Sequence, residues 1–254
     1  MPELFSNPSL KGIDTVLFDL DGTLLPTEQK PFVKRYFGLL SQSLTEKGFD
    51  ADKAIKAIMK GLSAMTANDG AVTNSTLFED VVRTVYGNTA ESFISALLDF
   101  YATDFDKAKD VADVAKIKAN RVAERIGALR DRGIKTVLAT NPVFPRIALD
   151  VRLSWIGLTD RDFEHITDYE NSSFCKPDTG YYREILSTVG KEPQNCIMIG
   201  NNVCEDMAAA GLGIKCFLVT DFLENPDGSD IEGYTHRSVD EMFGILEQGA
   251  GCVK

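Results

Sequence analysis

The chain has 254 residues, of which 44% are apolar and 26% charged, so it can bury a sizeable core and does not read as a disordered polypeptide. Its 38 acidic and 27 basic residues leave a net charge of −11, with no Lys/Arg cluster. Neutralising a nucleic-acid backbone needs a basic footprint, so a nucleic-acid partner is excluded as an expectation.

The first element expected is a strand from Ile13 to Leu20, a short apolar run that ends in Asp21-Gly22. From about Pro26 to Ala115 the periodicity is helical. Phe32, Tyr36, Leu39, Leu40 and Leu44 share one face, and Ala54, Ile55, Ile58, Met59 and Leu62 share the next. Ser75 or Thr76 is expected to cap a third helix, with Leu77, Val81, Val82 and Val85 inward; a fourth turns Phe93, Ile94, Leu97 and Leu98 inward. Strands and helices then alternate. A helix runs from about Ile117 to Arg132, a strand over 134–140, a helix near Arg146 to Trp155 and a short strand at His165 to Thr167. A helix over Thr179 to Val189, the strand Cys196 to Gly200, a helix near Glu205 to Ala210, the strand Lys215 to Val219 and a last helix over Val239 to Gln248 follow.

This order predicts an α/β fold: a Rossmann-like parallel-sheet core of residues 1–25 and 116–254, interrupted after its first strand by an α-helical cap domain of residues 26–115. Five cysteines, Cys175, Cys196, Cys204, Cys216 and Cys252, contain no CxxC pair, so neither a disulfide framework nor a zinc site is expected; Cys196 and Cys216 read as buried small hydrophobes. No stretch approaches the roughly 18 apolar residues of a membrane span. Met1 to Lys11 holds no leader-like apolar run, and a soluble cytoplasmic protein with no membrane partner is expected. The oligomeric state is not encoded in any pattern of this chain.

Polar residues collect where the core strands end. Asp19-Leu20-Asp21-Gly22-Thr23 closes the first strand and Thr140-Asn141-Pro142 the second. Lys176-Pro177-Asp178 precedes a helix, and Gly200-Asn201-Asn202, with Glu205 and Asp206, closes the CIMIG strand. In a parallel sheet, ligands bind beyond these carboxyl ends. A carboxylate there can accept a phosphoryl group, and a second can move protons.

DLDGTLL, ATN, CKPD and IGNNxxED, in this order, resemble the four motifs of the haloacid dehalogenase superfamily, on its phosphatase branch, and the insertion resembles that family's C1-type helical cap. The resemblance implies a phosphohydrolase acting on a small phosphorylated metabolite through a Mg2+-dependent aspartyl-phosphate. Asp19 is then the nucleophile and Asp21 the general acid and base. Thr140, Asn141 and Lys176 bind phosphate, and Asp19, Asp21, Asn201 and Asp206 form the metal site. Dehalogenating members lack the second Asp, so Asp21 favours phosphate chemistry. Two alternatives stay open in the sequence: a sugar-phosphate mutase of the same family, and a catalytically weakened binding protein. The latter is suggested by Asn201-Asn202: the family usually has Gly-Asp at the end of this strand, and here Gly200 is followed by the two asparagines. Either an asparagine ligates through its amide oxygen while Asp206 adds charge, or the metal site is weakened; the intact remaining residues favour the former. Lys30, Lys34, Arg35 and Lys60 are candidate substrate contacts on the cap.

Overall fold

The computed structural model describes residues 10–249; Cys252 and the outer ends of the expected core segments lie outside the described residues. Six parallel strands form one sheet in the order β3-β2-β1-β4-β5-β6. They are β1 (Thr15–Phe18), β2 (Lys135–Leu138), β3 (His165–Ile166), β4 (Cys196–Gly200), β5 (Lys215–Val219) and β6 (Thr235–Arg237). The α/β class and parallel sheet are as expected from the alternating pattern. β1 and β4 are buried along their whole length, which is why they read as unbroken apolar runs. β1 lies between β2 and β4, so the chain builds outward on one side of β1 and then returns to the other. That reversal opens a crevice at the carboxyl ends of β1 and β4.

Between β1 and β2 lie α1 (Gln29–Glu46), α2 (Ala51–Thr66), α3 (Asn74–Tyr86) and α4 (Ala90–Thr103). After them come α5 (Val114–Asn120), α6 (Val122–Asp131), α7 (Arg146–Trp155), α8 (Thr179–Val189) and α9 (Val239–Gly249). The inward face of α1 is the expected one. The faces of α2, α3 and α4 are rotated from expectation. Met59 and Leu98 are exposed, Leu77, Val81 and Val85 are half-buried, and Phe78, Ala96, Phe100 and Met65 take the inward positions. Thr73, rather than Ser75 or Thr76, caps α3 by accepting from the Thr76 N–H.

Three further expectations are corrected. The single helix over 117–132 is broken at Arg121, whose φ of 49° is left-handed, into α5 and α6. The helix expected near 205–210 is a 3-10 segment over Met207–Leu212, ended by Gly213. β6 was not anticipated: three half-buried residues at the sheet edge carry too little apolar signal. Cys196 is fully buried, while Cys216 is only half-buried.

The four inserted helices dock on the core through specific contacts. The Tyr36 ring meets Phe144 edge-on at 5.4 Å between centroids, and Phe105 lies 5.8 Å from Trp155. The Ser75 N–H donates to the Tyr169 carbonyl at 2.7 Å, and Asn74 Nδ2 to the Pro142 carbonyl at 3.1 Å. Among the described residues no helix is long and apolar enough to cross a membrane.

Candidate active site

Strand β1 ends one residue before Asp19, whose N–H still donates to the Ile199 carbonyl at 2.9 Å, so the sheet itself fixes its backbone. The chain then turns sharply: the N–H groups of Thr23 and Leu25 both donate to the Leu20 carbonyl. Leu20 is buried in the core while Asp19 and Asp21 on either side line one cavity. Gly22 permits this turn. Its φ is +78°, and a Cβ there would stand 2.3 Å from the Asn201 amide nitrogen.

Lys176 is fully buried and bridges two carboxylates, donating to Asp19 Oδ1 at 2.9 Å and Asp206 Oδ1 at 2.6 Å. Burial opposes its charge, but Asp19 and Asp206 together hold its ammonium well above the usual range. Asp19 is pushed up to about 8: burial raises it most, Lys176 pulls it down, and the charges of Asp206 and Asp21 add to the rise. Asp206 also accepts from the Asn202 N–H at 2.9 Å, so both its carboxylate oxygens are engaged. It packs against Gly200 so closely that a Cβ there would lie 2.1 Å from Oδ2.

The expected phosphate-binding residues gather at the same place. Thr140 is anchored through its carbonyl, which accepts from Thr167 Oγ1 at 2.7 Å and the Tyr181 hydroxyl at 2.8 Å. Asn141 donates to Glu205 Oε2 at 3.1 Å, and its buried Oδ1 has no protein partner. Asn201 is held at both ends of its amide: Oδ1 accepts from Thr23 Oγ1 at 3.1 Å and Nδ2 donates to the Phe222 carbonyl at 2.6 Å. Asp19, Asp21, Thr140, Asn141, Asn201 and Asp206 all line the cavity, with Lys176 directly behind Asp19.

Several residues of this site have no local sequence signal. Arg152 on α7 is fully buried and donates from Nη1 to Asp21 Oδ2 at 2.5 Å. Glu224 follows β5 and is drawn in by a bridge to Asn202, whose Nδ2 donates to its carboxylate at 3.0 Å. Burial raises the carboxyl groups of both Glu205 and Glu224. Tyr181 and Tyr182 on α8 pin the ends of two strands, through the Thr140 and Glu205 carbonyls respectively. A YY pair after Lys-Pro-Asp was the one visible hint. Lys30, Lys34, Arg35 and Lys60 do not line the cavity.

A model of the haloacid dehalogenase-like hydrolases matches residues 13–213, from the start of β1 past Asp206. The chain belongs to this family. It is 22% identical over 203 residues to the pyrophosphatase PpaX of Bacillus pumilus, covering 80% of this chain and 81% of that protein. The fold is similar to that of a 2-haloacid dehalogenase from Pseudomonas syringae, with a TM-score of 0.64 and 15% identity over 94% of this chain and 100% of that one. It is also similar to that of a predicted phosphoglycolate phosphatase from Haemophilus somnus, with a TM-score of 0.54 and 16% identity over 92% and 98% of the two chains.

Proposed function

We propose that this hydrolase is a Mg2+-dependent phosphatase of small phosphate monoesters, with Asp19 as nucleophile and Asp21 as general acid and base. The observation that carries the reading is the buried Lys176 clamp on Asp19 and Asp206, with Asp21 opening into the same cavity. A carboxylate held by a buried ammonium is positioned for attack, and the remaining acids leave the site in need of a cation before a phosphate dianion can enter.

The donor chemistry fits magnesium. Asp19, Asn201, Glu224 and the backbone carbonyl of Asp21 offer hard oxygens at one end of the cavity. Among the described residues no three His, Cys, Asp or Glu side chains form a ready-made metal cage. Magnesium commonly uses one or two carboxylates, with waters and substrate phosphate completing its shell. Asp19, Asn201 and the backbone carbonyl of Asp21 would hold the ion, the unpartnered Oδ1 of Asp21 stays available for proton transfer, and Asp206, saturated by Lys176 and the Asn202 N–H, would contribute charge. When bound, the ion would neutralise phosphate charge.

In the first step Asp19 attacks phosphorus through Oδ2, the oxygen that Lys176 leaves free. The bond to the leaving oxygen breaks as protonated Asp21 gives that oxygen its proton. In the second step water attacks the aspartyl-phosphate and Asp21 takes a proton from it. The Asp19–phosphorus bond breaks, releasing inorganic phosphate and restoring both carboxyl groups. Thr140 and Asn141 bind the phosphoryl oxygens. Domain organisation supports the same reading: helices 29–103, as the expected cap, cover the cavity and keep bulk water from the intermediate.

Release of phosphate from an aryl phosphate with and without Mg2+, by wild type and Asp19→Asn, tests the proposal. Metal-dependent turnover that disappears in the variant is expected. Equal activity of the two proteins, or none from wild type across a wide ester panel, refutes it.

A further inference from the structure

The cavity that begins at Asp19 changes character as it leaves the sheet. It encloses about 390 Å³, within the range of small-molecule sites. Beyond the strand ends its wall is hydrocarbon: Phe32 and Tyr36 from α1, Ile58 and Leu62 from α2, Leu97 and Tyr101 from α4. The Tyr36 and Tyr101 hydroxyls are hydrogen-bonded to each other at 2.8 Å, which leaves one O–H of the pair as a donor.

We propose, resting on the phosphatase reading above, that the substrate is the phosphate monoester of an apolar alcohol with no second anionic group, its hydrocarbon portion lying between α1, α2 and α4. Charge selects against the alternatives. Among the described residues the charged side chains lining the cavity are Asp19, Asp21, Glu79, Glu205, Asp206 and Glu224, all acidic. Lys176 is committed to Asp19 and Asp206; Arg152 gives only Nη1 to Asp21, but its guanidinium lies against Phe32 and Phe144 and does not line the cavity. A second phosphate or a carboxylate at the helical end would be desolvated with no cation, in a wall that includes Glu79, which is costly. A polyhydroxylated sugar fares little better. Polar groups there are few, and one of them, the buried Thr27 Oγ1, is a single unpartnered hydroxyl suited to one oxygen.

The entrance points the same way. Val33, Met59 and Leu98, each on a different helix, line this cavity yet remain 41%, 44% and 40% exposed. Single exposed apolar residues are ordinary, but three that line one cavity while partly open to solvent give its exposed side an apolar lip. A hydrocarbon leaving the cavity would cover them.

The test uses the Mg2+-loaded protein and ethyl, butyl and hexyl phosphates, whose leaving groups are chemically alike, beside glycerol 3-phosphate and phosphoglycolate. The expected result is a kcat/KM that rises about fourfold per methylene, with both polar esters slower than butyl phosphate. Leu98→Lys, at an exposed position that the fold tolerates, should lower the rate on hexyl phosphate and raise that on phosphoglycolate. Asp19-dependent turnover that is flat with chain length, or that favours the polar esters, overturns this inference and leaves the phosphatase reading standing. An unchanged hexyl-to-phosphoglycolate ratio in Leu98→Lys overturns the placement of the chain at the lip. Failure to release phosphate from any ester removes the phosphatase reading and this inference with it.

Discussion

Arg152 donates from Nη1 to Oδ2 of Asp21 while its guanidinium carbon lies 4.4 Å from the centre of the Phe144 ring. The arginine is fully buried, and its Nε and Nη2 have no hydrogen-bond partner. Such a group costs stability, and what it supplies is orientation of Asp21, the carboxylate proposed as acid and base. Arg152→Met keeps the length and loses the charge, leaving Asp21, whose side chain is 30% exposed, open to solvation. The expected outcome is a fall in kcat of about 10- to 100-fold, part of what a general acid contributes. The melting temperature should stay within about 3 °C of wild type. Steady-state kinetics and a thermal melt check both.

Lys176 presents the opposite case. Removing it strands the buried carboxylate of Asp206, and above pH about 8 that of Asp19 as well, without their shared cation. Lys176→Met should destabilise the fold by about 3–5 kcal/mol. Adding Asp206→Asn should restore part of this, because one of the stranded charges is gone. Denaturant midpoints of the two variants and wild type measure the coupling.

The raised carboxyl group of Asp19 predicts how metal binding depends on pH. In the metal-free fold burial holds its proton up to about 8, whereas the unfolded chain releases it near the ordinary value of 3.8. The folded state therefore binds more protons between these limits, so this group's contribution to stability declines as pH rises from about 4 to 8. Magnesium competes with that proton. Its affinity should climb with pH up to about 8 and then level off, with proton release on binding below that point. Calorimetric titration in buffers of different ionisation enthalpy reads both effects, and an affinity independent of pH between 6 and 8 contradicts the expectation.

Gly22→Ala tests the turn that carries Asp21. The substitution must adopt a φ of +78° and also displace the Asn201 amide, 2.3 Å from the new methyl. A loss of about 1–3 kcal/mol in stability is expected, with a drop in kcat because Asp21 and Asn201 move together. Gly133→Ala, at a φ of +82° with nothing within 4 Å of the new methyl, should cost only the backbone term and leave kcat unchanged.

The sheet was legible because β1, β4 and β5 are central strands whose apolar runs leave little choice of conformation, and α7 and α8 carry clear boundaries. Asp19, Asp21 and Thr140 could be grouped because each lies just past a strand end, with Asp206 in the turn that follows β4, and parallel sheets bring those ends together. What was hidden depends on tertiary contact. The break at Arg121 interrupts a good helical pattern with a single left-handed residue. Arg152 reads as one more polar position on a helix until α7 is packed beneath Phe144 and Phe32. The helical faces of α2 and α4 were misread because an apolar cavity accepts Met59 and Leu98 where a closed core would not.

The groups that would break and make bonds stand on loops leaving the sheet, whereas most of the hydrocarbon wall comes from residues 32–101, a single uninterrupted stretch of chain. The two are therefore separable in inheritance. Exchange of the segment between β1 and β2 would replace most of the wall that admits the guest while the strand-end groups stay in place.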